Sequence, residues 1–63
     1  MKNLSSGDAV LIGALEEAMD AASDARRDLY EGDDASSAIN RLFTIAAGAR
    51  YQQALNQKVK SNG

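Results

Sequence analysis

The side chains of this chain that could do chemistry are carboxylates, hydroxyls, arginines and lysines, because the sequence contains no His and no Cys. The commonest general base, the thiolate nucleophile and the main zinc ligands are therefore absent. The hydroxyls of Ser5, Ser6, Ser36 and Ser37 fall where helix caps and first turns are predicted, which is the ordinary use of serine. We expect no catalytic residue and no enzymatic activity.

The acidic run Glu31-Gly32-Asp33-Asp34 is the one stretch that suggests a cation site. It lacks the alternating, spaced oxygen ligands of a calcium-binding loop. The sequence also contains neither a glycine-rich phosphate loop nor a paired-histidine helix motif. We therefore predict no metal and no cofactor.

The composition predicts an all-α protein, since Pro is absent and Ala is the commonest residue. A first helix is expected over about residues 6–31, with Ser5 or Ser6 as its N-cap and its end at Gly32. Its apolar positions alternate three and four residues apart, as in a packed heptad seam. They are Leu11, Leu15, Ala18, Ala22, Ala25 and Leu29, flanked by Ala14 and Ala21 on one side and by Ile12, Met19 and Tyr30 on the other.

A turn over residues 32–34 predicts that a second helix, over about residues 35–59, packs antiparallel to the first. Asp33 or Asp34 is its expected cap. Its stripe should end near Ala49, because Gln53 and Asn56 occupy the positions that continue it. The stripe consists of Ala35, Ala38, Ile39, Leu42, Ile45, Ala46 and Ala49. Residues 1–63 are thus interpreted as one helical-hairpin domain, with flexible ends at 1–5 and 60–63.

A second group of apolar residues on the second helix is the candidate interface. Tyr51, Leu55 and Val59 point to roughly the opposite side from the predicted stripe, and Phe43 and Ala47 connect them to it. Exposed contiguous apolar surface usually marks association. We expect a homodimer in which two hairpins form a four-helix bundle, while a foreign protein partner and a role within the hairpin core stay open as alternatives.

Charge divides the chain into two unlike halves. Residues 1–34 carry three basic and nine acidic residues, a net charge of −6, whereas residues 35–63 carry four basic residues and no acid, a net charge of +4. If residue i lies level with residue 66 − i, the halves pair as Asp8 with Lys58, Glu16 with Arg50 and Asp24 with Arg41. The alternative is an acidic partner face, consisting of Glu17, Asp20, Asp24, Asp28 and Glu31. Arg26, in the apolar stripe, is a further candidate contact.

These patterns predict a cytoplasmic, non-enzymatic regulator or inhibitor that binds a larger protein by occlusion or acidic charge mimicry, a class that includes many phage and mobile-element proteins. Its longest apolar run, from Ala9 to Leu15, is too short to span a membrane. In length and hairpin pattern the chain resembles the small RNA-binding helical-hairpin dimers that control plasmid copy number, which implies nucleic-acid binding as an alternative. The spread of Arg41, Arg50, Lys58 and Lys60 around the second helix argues against it. A structural subunit of a larger assembly is the third reading.

Overall fold

The computed structural model describes residues 4–62, with side chains for residues 4–58. It contains two α-helices, α1 (Ser6–Tyr30) and α2 (Ser36–Asn62), and no strand within the described residues. The prediction of an all-α hairpin is confirmed. Helix α2 begins one residue later than predicted and continues past Val59 to Asn62, so that residues 60–62 are helical. The expected flexibility of residues 1–3 and 63 lies outside the described part of the chain.

Both ends of α1 are closed by local hydrogen bonds. Ser5 is the N-cap, and its Oγ accepts the Asp8 backbone N–H at 3.0 Å. At the other end Gly32 adopts a φ of 77°, the left-handed conformation that glycine accepts without steric cost. The Gly32 N–H donates to the Leu29 carbonyl and the Asp33 N–H donates to the Asp28 carbonyl. This pair of bonds is a Schellman motif, and it turns the chain at the predicted glycine.

Asp34 organises the start of α2. Its Oδ1 accepts both the Ser36 hydroxyl, at 2.6 Å, and the Ser36 backbone N–H, at 2.9 Å. These two bonds, the hydroxyl bond first, stabilise the carboxylate and lower the pKa of Asp34 below its ordinary value of 3.8. Of the two predicted cap residues, Asp34 is therefore the one that holds the first turn of α2.

The face of α1 that packs on α2 differs from the predicted stripe. Most of the buried and half-buried positions follow one heptad seam, and two of them, Ala21 and Ala25, are buried. Leu15, Ala22 and Leu29, which the prediction placed in the seam, are exposed. The two stripes share Leu11, Ala18 and Ala25. At the positions between and after these, the observed seam contains the preceding residue, about 100° back around the helix, so that Ala14, Ala21 and Asp28 replace Leu15, Ala22 and Leu29. Its members are Gly7, Leu11, Ala14, Ala18, Ala21, Ala25 and Asp28.

Helix α2 contributes a matching seam that runs its whole described length. Ile39 and Ala46 were predicted in it but are exposed, and the stripe does not end near Ala49. It continues through the half-buried Gln52 and the buried Asn56, because these polar side chains find hydrogen-bond partners there. Its members are Ala35, Ala38, Leu42, Ile45, Ala49, Gln52 and Asn56.

Contacts between the helices set the register of the hairpin. Asn56 lies against Gly7 and hydrogen-bonds Asp8, and Arg41 pairs with Asp24. The residue numbers sum to 63 for Asn56 and Gly7, to 64 for Asn56 and Asp8, and to 65 for Arg41 and Asp24. The predicted register has a sum of 66, so the observed register is offset from it by one to three residues. The predicted pairing of Asp24 with Arg41 forms, whereas Glu16 with Arg50 and Asp8 with Lys58 are not among the ion pairs of the described residues.

The resulting hairpin is a plate that is a single layer of helices thick, with Cα extents of 50 × 23 × 11 Å. Among the side chains of residues 4–58, the buried apolar ones are all alanines, namely Ala21, Ala25, Ala35, Ala38 and Ala49. A buried methyl contributes roughly 0.8 kcal/mol, against about 1.5–3 kcal/mol for a fully buried Leu or Ile. The seam therefore holds the helices close together but contributes little hydrophobic stabilisation by itself.

The rotated seam can be tested by comparing two neighbouring alanines. Ala21 is 0% exposed and Ala22 is exposed. Ala21→Leu should force the helices apart and lower the free energy of unfolding by about 1–3 kcal/mol, the usual cost of overpacking. Ala22→Leu should cost less. Urea unfolding of both variants at one protein concentration measures the difference, and a larger loss for Ala22→Leu would restore the sequence-predicted stripe.

Candidate functional site

One broad surface of the plate is apolar, and we call it the apolar face. The residues that directly follow seam residues of α1 in the sequence, such as Leu15 and Leu29, lie on this side. The residues that directly follow seam residues of α2 lie on the same side. Large side chains lie open there, since Leu15 is 50%, Phe43 69% and Met19 71% exposed. The apolar face consists of Ile12, Leu15, Met19, Ala22, Leu29, Ile39, Phe43 and Ala46.

A groove of about 490 Å³ runs between the two helices on the apolar face. Leu11, Leu15 and Ala18 line it from α1. Helix α2 supplies Ala46, Ala49 and Ala54 together with two polar side chains, Arg50 and Gln53. Small side chains on the α2 side leave the groove shallow and wide. A groove of this form fits another helix better than a small molecule, whose sites are usually enclosed.

The opposite broad surface, which we call the charged face, carries six charged side chains. Asp24 lies at its centre, where one carboxylate oxygen accepts from Arg27 at 3.1 Å and the other from Arg41 at 3.3 Å. The three side chains are 41–64% exposed, and ion pairs open to solvent in this way contribute little to stability. Their role is orientation across the seam. The charged face consists of Glu17, Asp20, Asp24, Arg27, Glu31 and Arg41.

Four of the five predicted acidic partner residues lie on the charged face, and Asp28 lies in the seam beside it. Asp24 is occupied by its two arginines, whereas Glu17 and Asp20 are exposed and belong to no ion pair of the described residues. Near the turn, carboxylate oxygens of Asp28, Glu31 and Asp33 lie within 4.8 Å of one another. This cluster is surface charge at the turn, and we assign it no metal.

The predicted interface residues of α2 do not share one face. Successive positions four residues apart advance by about 40° around a helix. Phe43 therefore lies on the apolar face, Ala47 on the outer side of α2, and Tyr51 and Leu55 on the side of the charged face, where Leu55 is level with Val10. The side chain of Val59 lies outside the described residues. The prediction that these residues form an interface stays a prediction.

Arg26, the further candidate contact, is placed over the ring of Tyr30 one turn along α1. Its guanidinium carbon lies 5.6 Å from the ring centroid, within the range of a cation–π interaction. Both side chains are exposed. The contact holds the two side chains together at the outer edge of the apolar face, near the turn.

The open end of the hairpin contains a polar cluster that the sequence reasoning missed. Gln52 Nε2 donates to Asn56 Oδ1 at 2.9 Å, and Asn56 Nδ2 donates to Asp8 Oδ1 at 3.1 Å. Gly7 leaves the space for the buried Asn56 amide, since a Cβ on Gly7 would collide with its oxygen. The signal was present as the polar residues at heptad positions 52 and 56, but the sequence analysis interpreted Gln53 and Asn56 as the end of the stripe and assigned Gln52 no role.

The polar cluster predicts strong coupling between Gly7 and Asn56. Gly7→Ala should lower the free energy of unfolding by about 1 kcal/mol, because the new methyl displaces the Asn56 amide from its partners. In an Asn56→Ala background the same change should be neutral or stabilising, since Ala exceeds Gly in helix propensity by about 0.8–1.0 kcal/mol. A double-mutant cycle by chemical unfolding measures this, and equal effects in both backgrounds would contradict the contact.

Comparisons with known proteins give no family for this chain: no protein-family model matches it, and no match was found among curated proteins or solved structures. Within the described residues, neither helix has a stretch apolar enough over a sufficient length to cross a membrane. The functional argument therefore depends on the two faces of the plate.

Proposed function

We propose that this protein is a non-enzymatic, protein-binding regulator or inhibitor that works as a homodimer. Two hairpins pack through their apolar faces into a four-helix bundle, and the charged faces remain outside to contact a larger protein. The observation that carries the proposal is the apolar face itself, with Leu15, Met19 and Phe43 at least half exposed beside a seam whose fully buried apolar residues are all alanine. Exposed apolar surface on this scale marks association.

The exposed area supports a second copy as the occupant of the apolar face. The hairpin has an accessible surface of 5085 Å². A compact monomer of 6.7 kDa is expected to have about 3,900 Å². The excess, about 1,200 Å², exceeds the roughly 800 Å² that each partner buries in a standard interface. The hairpin therefore exposes enough surface, beyond that of a compact monomer, for one interface of standard size.

A matched pair of substitutions tests the bundle. Leu15→Asp places a charge in the groove of the apolar face, whereas Val10→Asp places the same charge at a similarly exposed position on the other side of α1. Light scattering over a concentration series should give a dimer for the wild type and Val10→Asp, and a monomer for Leu15→Asp. A monomeric wild type, or a dimer that tolerates Leu15→Asp, would contradict the bundle.

The charged face supports the regulatory part of the proposal. Glu17 and Asp20 lie one helical turn apart, exposed, and without an ion pair among the described residues. Such carboxylates suit a basic protein surface, either by direct pairing or by standing in for the phosphates of a nucleic acid. The bundle would present this surface twice, once on each broad side.

Co-purification with variants of each face tests the partner. The wild type, Leu15→Asp and the double variant Glu17→Lys/Asp20→Lys should be compared as baits after nuclease treatment. We expect a partner protein that the charge-reversed bait loses and that a higher salt concentration releases. If charge reversal leaves the co-purified proteins unchanged, Glu17 and Asp20 of the charged face do not form the contact with the partner. In a parallel sample without nuclease, retained nucleic acid that is lost on reversal of Arg41 and Arg50 would support the RNA- or DNA-binding alternative.

A further inference from the structure

The charges of the two helices distinguish the two ways in which a pair of plates can stack. Two-fold symmetry allows the apolar faces to meet with both turns at the same end, which sets α1 over α2 of the partner copy. It also allows the turns at opposite ends, which sets α1 over the partner's α1 and α2 over the partner's α2. Both arrangements bury the same apolar side chains, so hydrophobic contact does not choose between them.

Charge complementarity favours one of the two stacking arrangements over the other. Helix α1 carries six acidic and two basic residues, a net charge of −4, and α2 carries four basic residues and no acid, a net charge of +4. Stacking like helices would set acid against acid and base against base, which is destabilising at close range. Stacking α1 over the partner's α2 sets opposite charges against each other along both interfaces.

Arg50 gives this choice a specific contact. It lines the groove on the apolar face, so its guanidinium would be covered when the face is occupied. A covered arginine needs a carboxylate partner. With turns at the same end, Arg50 lies within about one helical turn of the level of the partner copy's Glu16, on the outer edge of α1. With turns at opposite ends and the plates fully overlapped, Glu16 instead lies level with Asp20 of the other copy's α1, where no base is available to pair with it.

We propose that the occupant of the apolar face is a second copy of this chain with its turn at the same end, held in register by two symmetric ion pairs between Glu16 of one copy and Arg50 of the other. The arrangement rests on the dimer of the proposed function. Within one hairpin neither residue takes part in an ion pair of the described residues, so both carboxylate and guanidinium remain available to the second copy.

A distance measurement between the two turns tests the arrangement. The sequence has no Cys, so Asp33→Cys in the exposed turn provides a single spin-label site per chain. Turns at the same end should give a label-to-label distance below about 25 Å, since neighbouring helices lie about 8–10 Å apart. Turns at opposite ends should give a distance close to the 50 Å length of the hairpin. The long distance in a dimer would overturn the arrangement while leaving the dimer, whereas a monomer by light scattering would overturn both.

A charge-exchange experiment tests the ion pairs. Glu16→Arg and Arg50→Glu should each weaken dimerisation about tenfold, which corresponds to about 1.4 kcal/mol, because each homodimer then has two like-charge contacts. Mixing the two variants should restore wild-type affinity, since every contact in the mixed dimer again joins opposite charges. Pairing of Glu16 and Arg50 within one chain would give no recovery on mixing, and that result would overturn the proposed contact.

Discussion

The close packing of α1 on α2 through alanine and glycine is the constraint on which the rest of the structure depends. Small side chains at half of the seam positions allow the two backbones to approach closely, and the larger apolar members of the seam, Leu11, Leu42 and Ile45, are only half-buried. Leu15, Met19 and Phe43 are therefore directed to the outside. The same choice of residues that makes a narrow hairpin also makes an apolar face, so the need for a further packing partner follows from the seam itself.

Alanine occupies half of the seam positions, and alanine against alanine specifies register weakly, because a slip can set methyl against methyl again. The polar contacts supply what the methyl groups cannot. Asp24 pairs with Arg41 toward the turn, and Asp8 bonds Asn56 at the open end. A slipped hairpin would leave the buried Asn56 amide without partners, which is costly. The polar cluster thus selects one register, and Gly7 is needed at the point where the amide packs.

Much of the hairpin could be predicted from particular residues. Ser5, Gly32 and Asp34 define the helix ends through hydrogen bonds to their own neighbours, so local sequence is sufficient for them. The seam could not be chosen in this way, because two heptad stripes share Leu11, Ala18 and Ala25 and hydropathy favours the one with more leucine. Only the facing alanines of α2 decide between them. The apolar face was missed for the same reason, since it is formed by both helices together and not by one.

Ion pairs within the hairpin neutralise only part of the opposite charges that α1 and α2 carry. On the charged face Asp24 meets Arg41, but on the apolar side the seam is flanked by Leu15 and Ala46, where no charges oppose each other. Arg50 is the charged side chain that lines the groove on this side. An occupant that covers the Arg50 guanidinium has to bring a carboxylate to it as well as apolar side chains to the groove. Helix α1 of a second copy has both, with Glu16 beside Ile12 and Met19 on its outer edge.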